Sequence, residues 1–354
     1  MTRKVNFLPG PVEIHEEVKK EFKKPAVSHR SRAFINDFNA TKDLLCKYVN
    51  ARKVEIFTGS GTLANEVIAA QLSNLNGRGL ILVLGEFSER LVKIAERHRL
   101  DFKVIRKEWG KTFSRREIEE FLDADLLDCS WVWTVLCETS SGALVDFRML
   151  KEIFLNRNIK ICLDCISYIA TIPLNLSDIY LASCTSGKAI GAYPGLSMVF
   201  YNHHIQPSDK IPLYFDLGYY NIKNGIPFTI PTNAVYALKK AIERLTIEDK
   251  FEKIKKVSSY IRQQLLSLGM NLIIAKEYSS PAVITISIPK EISSKKLGEI
   301  MEQMGYYLSF NSYYLVEKNW IQICIMGNID MYCIEGLKNA LQEALKQNLR
   351  QTGT

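Results

Sequence analysis

The chain has 354 residues, 47% hydrophobic and 24% charged, with a formal net charge of +8 at neutral pH. That length exceeds one ordinary domain and supplies ample apolar surface for a core, which argues against a disordered or coiled-coil chain. No stretch approaches the roughly 20 consecutive apolar residues that span a bilayer, the N-terminus lacks the apolar run of a secretory signal, and the basic residues are dispersed rather than interleaved with aromatics as nucleic-acid binding requires.

The expectation is a cytoplasmic protein with no membrane or nucleic-acid partner. Eight cysteines in a chain this long are too sparse for a disulfide scaffold. Cys162-Leu163-Asp164-Cys165 is a lone C-x-x-C with no second pair and few histidines to complete a ligand set. No metal is expected there, and the two cysteines read as small apolar residues flanking a buried strand end.

In chain order, short apolar runs alternate with helical periodicity from about residue 50 to 200. The strands fall at Val54–Phe57, Leu80–Leu84, Phe102–Ile105, Trp131–Leu136, Ile159–Leu163, Ile179–Cys184 and Ser197–Tyr201, with helices such as Thr62–Leu72, Ser88–His98 and Phe147–Asn156 between them. This alternation predicts an α/β fold: a mostly parallel sheet covered on both faces, with ligands at the carboxyl ends of its strands. After about residue 233 the pattern changes. A long helical region runs from Asn233 to Leu268, followed by a strand at Ala282–Ile288, a helix at Lys295–Met304, a hairpin across Tyr306–Ile325 and a final helix from about Tyr332. These make a smaller α+β domain. The predicted division gives residues 16–245 to the large domain and 1–15 with 246–354 to the small one.

The chemistry concentrates at three places. In Ser183-Cys184-Thr185-Ser186-Gly187-Lys188 an apolar strand ends in a polar loop that presents one lysine. An ammonium there loses hydration, which lowers its pKa and leaves free amine to attack an aldehyde; the alternative is a lysine that snorkels to solvent. Asp164 ends the strand Ile159–Leu163, 24 residues before Lys188, a gap that fits one crossover between adjacent parallel strands. A buried carboxylate needs a cation, and the pyridinium nitrogen of pyridoxal 5'-phosphate (PLP) is one; the alternative is a helix cap. Third, Thr58-Gly59-Ser60-Gly61-Thr62 follows a strand and opens a helix, which makes a phosphate cradle. The same residues fit a dinucleotide G-x-G-x-x-A turn with Glu86 as the acidic partner. That reading leaves Lys188 and Asp164 without a role, and about fifty residues precede a motif that usually opens its domain.

With these pieces in order, the chain resembles the class V PLP-dependent aminotransferases, in the alanine–glyoxylate, serine–pyruvate and 2-aminoethylphosphonate branch. The resemblance runs through Pro9-Gly10-Pro11, His29-Arg30-Ser31, the glycine-rich turn, Gly85-Glu86-Phe87-Ser88-Glu89-Arg90, Glu138-Thr139-Ser140-Ser141-Gly142, Asp164, Ser186-Gly187-Lys188, Pro194-Gly195-Leu196, Pro227-Phe228-Thr229 and Met326-Gly327. It implies a fold-type I PLP-dependent transferase that moves an amino group from a small amine or amino acid to a 2-oxo acid such as pyruvate or glyoxylate, in ping-pong fashion through pyridoxamine phosphate.

The same resemblance assigns roles. Lys188 holds the cofactor and moves the proton, and Asp164 binds the ring nitrogen. Ser60, Gly61 and Thr62 take the phosphate, Phe87 stacks on the ring, Thr139 bonds the ring oxygen, and Ser186 adjoins the cofactor. Thr229 reaches the cofactor of a second subunit, which implies a homodimer with shared active sites. Pro9, Gly10 and Gln322 fall at the substrate. Two positions depart from the family: Gly187 stands where a Gln is frequent, and Gln322 stands where an Arg usually clamps the substrate carboxylate. The second departure predicts that alanine and serine are poor donors unless another cation, with Arg30 as candidate, fills the gap, and that the preferred donor is an atypical amine such as an aminophosphonate. A class V lyase or desulfurase and a non-catalytic PLP-fold binding protein are the alternatives.

Overall fold

The computed structural model describes residues 4–124, 129–329 and 331–352, the last four of these by backbone alone. Seven strands form the main sheet: β1 (Lys53–Thr58), β2 (Arg78–Val83), β3 (Phe102–Arg106), β4 (Cys129–Val135), β5 (Lys160–Asp164), β6 (Leu181–Thr185) and β7 (Leu196–Tyr201). Their order across the sheet is β1-β7-β6-β5-β4-β2-β3, with β7 alone antiparallel to its neighbours. All seven predicted strands are present, within two residues at each end. Their side chains are buried on both faces in β5, β6 and β7, as expected of strands sandwiched between helices.

The strand directions place the carboxyl ends of β1, β2, β4, β5 and β6 on one edge of the sheet, together with the amino end of β7. From this edge leave the turn 59–60 into the helix Gly61–Leu72, the turn 84–85 into the helix Glu86–Arg97, and the loop that carries Lys188. β5 and β6 are adjacent and parallel, as the spacing of Asp164 and Lys188 predicts. Their crossover over 165–180 is a chain of turns rather than a helix. Asn175 and Ser177 form a side-chain turn there, and Leu176 is fully buried, so the segment covers the sheet without helical periodicity.

The smaller sheet pairs β8 (Asn271–Leu272), β9 (Val283–Ser287) and β10 (Trp320–Cys324) in antiparallel fashion. The expected hairpin across Tyr306–Ile325 is present only in part: Ser309 and Gln322 bridge, but the turn between them contains the short helix Tyr313–Glu317. The expected long helix is two helices, Thr232–Ile247 and Lys250–Ser267. The break is at Asp249, whose carboxylate accepts from Glu252 N and caps the second helix. Residues Val5–Asn6 pair in parallel with Tyr306–Tyr307, which carries the Pro9-Gly10-Pro11 segment to the sheet edge. Among the described residues no helix is long and apolar enough to cross a membrane.

Candidate active site

A cavity of about 580 Å³ opens at this edge. It is lined by the turn Thr58–Thr62, by Asn65, Phe87 and Arg90 from the next helices, by Asp164 at the end of β5, by Thr139, Ser167 and Lys188 from the loops, and by Gly10 and Pro11. Most of the residues singled out in the sequence therefore converge.

Lys188 is partly buried, and desolvation holds its ammonium below the ordinary lysine range. Gly10 is packed against it: a Cβ at that position, where φ is +153°, would lie 3.0 Å from the carbonyl of Gly187 and 3.2 Å from Lys188 Cδ. Only glycine lets the N-terminal segment close over the lysine. Ser186, expected beside the cofactor, does not line the cavity. Its hydroxyl meets the Tyr193 carbonyl at 2.6 Å and the Leu196 carbonyl at 3.0 Å, so it ties together the two ends of the lysine loop. Lys250 Nζ donates to the carbonyls of Ala189 and Met326 and joins the residue after Lys188 to the end of β10.

Asp164 is 7% exposed, and burial raises its carboxyl above the ordinary aspartate range. Two hydrogen bonds oppose that shift: Asn65 Nδ2 donates to Oδ2 at 2.8 Å and the Ile166 amide to Oδ1 at 2.9 Å. Asn65 is in turn held by Ser183, whose hydroxyl donates to Asn65 Oδ1 at 2.6 Å. The sequence reading missed this buried Ser183–Asn65–Asp164 chain. Asn65 stands 99 and 118 positions from its two partners, and a polar residue within a helical pattern gives no sign of which face it serves. The described residues form no ion pair with Asp164, so a buried carboxylate faces the cavity without a cation.

The helix Gly61–Leu72 begins at the cavity, and its N-cap Ser60 makes no side-chain capping bond. The free N–H groups of its first turn can therefore meet an anion. Gly61 is fitted closely there, since a Cβ would come within 2.5 Å of Ile166 Cδ1. The next helix is anchored by Glu138, fully buried, which accepts from the Phe87 and Ser88 amides at 3.2 and 2.9 Å, from Ser88 Oγ at 2.8 Å and from Ser140 Oγ at 2.6 Å. One carboxylate thus joins the 85–90 and 138–142 segments and sets Phe87 at the cavity wall. Thr139 lies beside it, with its hydroxyl 2.5 Å from that of Ser167. Cys137 also lines the cavity, and burial pushes its thiol up to about 12, so it stays protonated.

Four further residues named from the sequence lie outside the lining of this cavity. Gln322 does not line the cavity: it is fully buried on β10, and Nε2 donates to the Thr139 and Ser140 carbonyls at 2.8 and 3.1 Å and to Thr285 Oγ1 at 2.9 Å. It braces the loop that carries Thr139, because a neutral amide satisfies two carbonyls inside a core where a charge would be costly. Pro9 lies one residue outside the lining, and Arg30 is exposed and away from it. Thr229, expected at a second subunit's site, is exposed and outside this chain's own cavity. Gln322→Ala is expected to lower stability by about 2 kcal/mol, from two buried carbonyls left unpaired, and to leave the preference among amines unchanged; urea denaturation and half-reaction rates together check this.

The site meets a physical test for PLP. A buried carboxylate lacking a cation, an uncapped helix start, an aromatic wall and a lysine held toward its neutral form surround one cavity of suitable volume. Comparison with known proteins agrees. The sequence profile described as aminotransferase class-V matches residues 12–309. The chain is 26% identical to a 2-aminoethylphosphonate–pyruvate transaminase of Lysinibacillus sphaericus, over 85% of this chain and 86% of the relative. It is 25% identical to an uncharacterized aminotransferase of Methanocaldococcus jannaschii, over 84% and 81%. Its fold matches a pyridoxamine–pyruvate aminotransferase of Mesorhizobium loti with a TM-score of 0.91 at 18% identity, covering 100% of this chain and 94% of that one. Seven-stranded sheet, edge cavity and matched profile together assign the chain to the class-V aminotransferase family of fold-type I enzymes, to which it belongs.

Proposed function

We propose that the protein is a PLP-dependent transaminase that moves an amino group from a small amine to a small 2-oxo acid such as pyruvate or glyoxylate, in two half-reactions. The observation that carries this reading is the pairing of Asp164, buried without a cation, with Lys188, held below its ordinary pKa, at the ends of adjacent parallel strands. When bound, PLP supplies an electron sink that makes a substrate C–H bond acidic.

Every other task falls to the chain. Lys188 Nζ would hold the cofactor and, once the substrate amine takes its place, would serve as the base and acid that moves the substrate proton. Asp164 keeps the ring nitrogen protonated, and Asn65 and Ser183 keep Asp164 aimed. Ser60, Gly61 and Thr62 would hold the phosphate, Phe87 would pack on the ring, and Thr139, whose hydroxyl meets that of Ser167, would hydrogen-bond the ring oxygen. Gly10 and Pro11 close the cavity over Lys188 and keep water from the proton path.

The protein is read as two domains, 16–245 and 1–15 with 246–354, and as a homodimer in which Thr229 approaches the second subunit's site. Support for the dimer comes from Leu213 and Ile222, which are 56% and 54% exposed on the segment leading to Thr229. The free thiols of Cys46, Cys137, Cys162, Cys165, Cys184 and Cys324 suit a reducing cytoplasm. The high pKa of the Cys137 thiol removes the one lining cysteine as a sulfur nucleophile and so disfavours a desulfurase. The test is a half-reaction panel: purified holoenzyme mixed with single amines is expected to convert its visible cofactor band to the pyridoxamine form with at least one of them, and pyruvate or glyoxylate is expected to restore it. A band that no amine converts contradicts the transaminase reading.

A further inference from the structure

Three charged side chains line the described cavity: Arg90, Asp164 and Lys188. The proposed function, on which this inference rests, engages two of them with the cofactor. Arg90 is left over. It stands one helical turn beyond Phe87, with its guanidinium 4.9 Å from the Phe87 ring centroid and its side chain 40% exposed. Its nearest carboxylate, Glu86, is 3.8 Å away, outside hydrogen-bond reach, and that carboxylate already accepts the Tyr313 hydroxyl. None of the described residues accepts a hydrogen bond from the guanidinium, whose ion pair with Glu86 is a long one.

Gln322 cannot serve in its place. The Gln322 amide donors are fixed on the Thr139 and Ser140 carbonyls and on Thr285, away from the cavity. Arg90 and Lys188 line the same cavity, so an anion on Arg90 lies within the space where the reacting amine binds. We infer that Arg90 is the substrate clamp of this protein: its guanidinium takes the terminal oxyanion of an amine that carries a carboxylate or phosphonate group. The ring of Phe87 restricts the guanidinium to a plane. A planar fork held in place meets two oxygens at once with little further loss of freedom. Glu86, tethered to Tyr313, limits the reach of Arg90 from the other side.

The test uses holoenzyme, both natural and with Arg90→Gln or Arg90→Lys. Methylphosphonate and propionate serve as unreactive anions whose affinities are measured by calorimetry. Half-reactions are followed with 2-aminoethylphosphonate, alanine and neutral 2-aminoethanol. Arg90→Gln is expected to weaken binding of one of the two anions about ten- to a hundredfold, the loss of a charge-assisted contact. Preference for the matching anionic amine over 2-aminoethanol should fall by the same factor. Arg90→Lys, which keeps the charge and loses the fork, should fall between. The anion that loses affinity names the substrate class. Unchanged affinity for both anions in an Arg90→Gln protein that still binds PLP overturns the assignment and leaves the transaminase reading intact. Lost anion affinity with no amine converted, even by the natural protein, sinks the transaminase reading and leaves Arg90 as an anion clamp.

Discussion

Lys188→Ala is expected to reduce turnover by at least about 10³-fold while the protein still takes up PLP without a covalent link. The size follows from two losses at one atom. General acid–base catalysis by a placed group contributes on the order of 10²–10⁴, and the covalent attachment that positions the cofactor disappears with it. Retained cofactor affinity is part of the prediction, because Ser60, Gly61, Thr62 and Asp164 hold the other ends of the molecule. Dialysis equilibrium and steady-state rates measure the two effects separately. The lowered pKa adds a pH signature: the cofactor-free natural protein should capture PLP at a rate that rises as Lys188 loses its proton, with a midpoint below the ordinary lysine value of 10.5. A midpoint at or above 10.5 contradicts a desolvated amine.

Asp164→Asn is expected to keep the fold and lose about a hundredfold or more in turnover, since a neutral amide cannot hold the ring nitrogen protonated as the electron sink develops. The same substitution has a consequence for stability. In the cofactor-free protein burial raises the Asp164 pKa above the ordinary 3.8. A carboxyl whose folded pKa is raised favours the folded state fully at pH below its unfolded pKa, and that contribution is lost as the pH climbs through the folded pKa. Stripped natural protein should therefore lose stability over that interval, whereas the Asp164→Asn protein should lack this component. Bound PLP should remove it as well, by giving the carboxylate a cation. Thermal melting across pH, with and without cofactor, reads all three; equal pH dependence in the natural and substituted stripped proteins removes Asp164 as its source.

Where the residues signal burial, the sequence is easily read. Each of the seven strands is an apolar run bounded by turn residues, and the edge position of Asp164 and Lys188 follows once those strands are parallel. The crossover 165–180 is harder, because it packs on the sheet through Leu176 and a side-chain turn and carries no periodicity at all. The two helices Thr232–Ile247 and Lys250–Ser267 merge in the pattern, although Asp249 was a capping residue in plain sight. Polar residues inside the core are the hardest. Asn65, Glu138 and Gln322 find their partners through the fold, so a pattern that marks them as buried would still not say what they hold. Gln322 occupies the position of an expected substrate contact, yet its amide serves the loop beneath Thr139. Arg90 belongs to the segment 85–90 that carries the family resemblance, but its place at the cavity emerges only when its neighbours are known.

The central claim is that Lys188 carries the cofactor, and the most direct measurement is borohydride reduction of the holoenzyme followed by peptide mapping. The visible band should bleach, and the reduced pyridoxyl group should be found on the peptide containing Lys188 and on no other. A label on a different lysine, or a protein that shows no visible band with PLP and takes no label, contradicts the account.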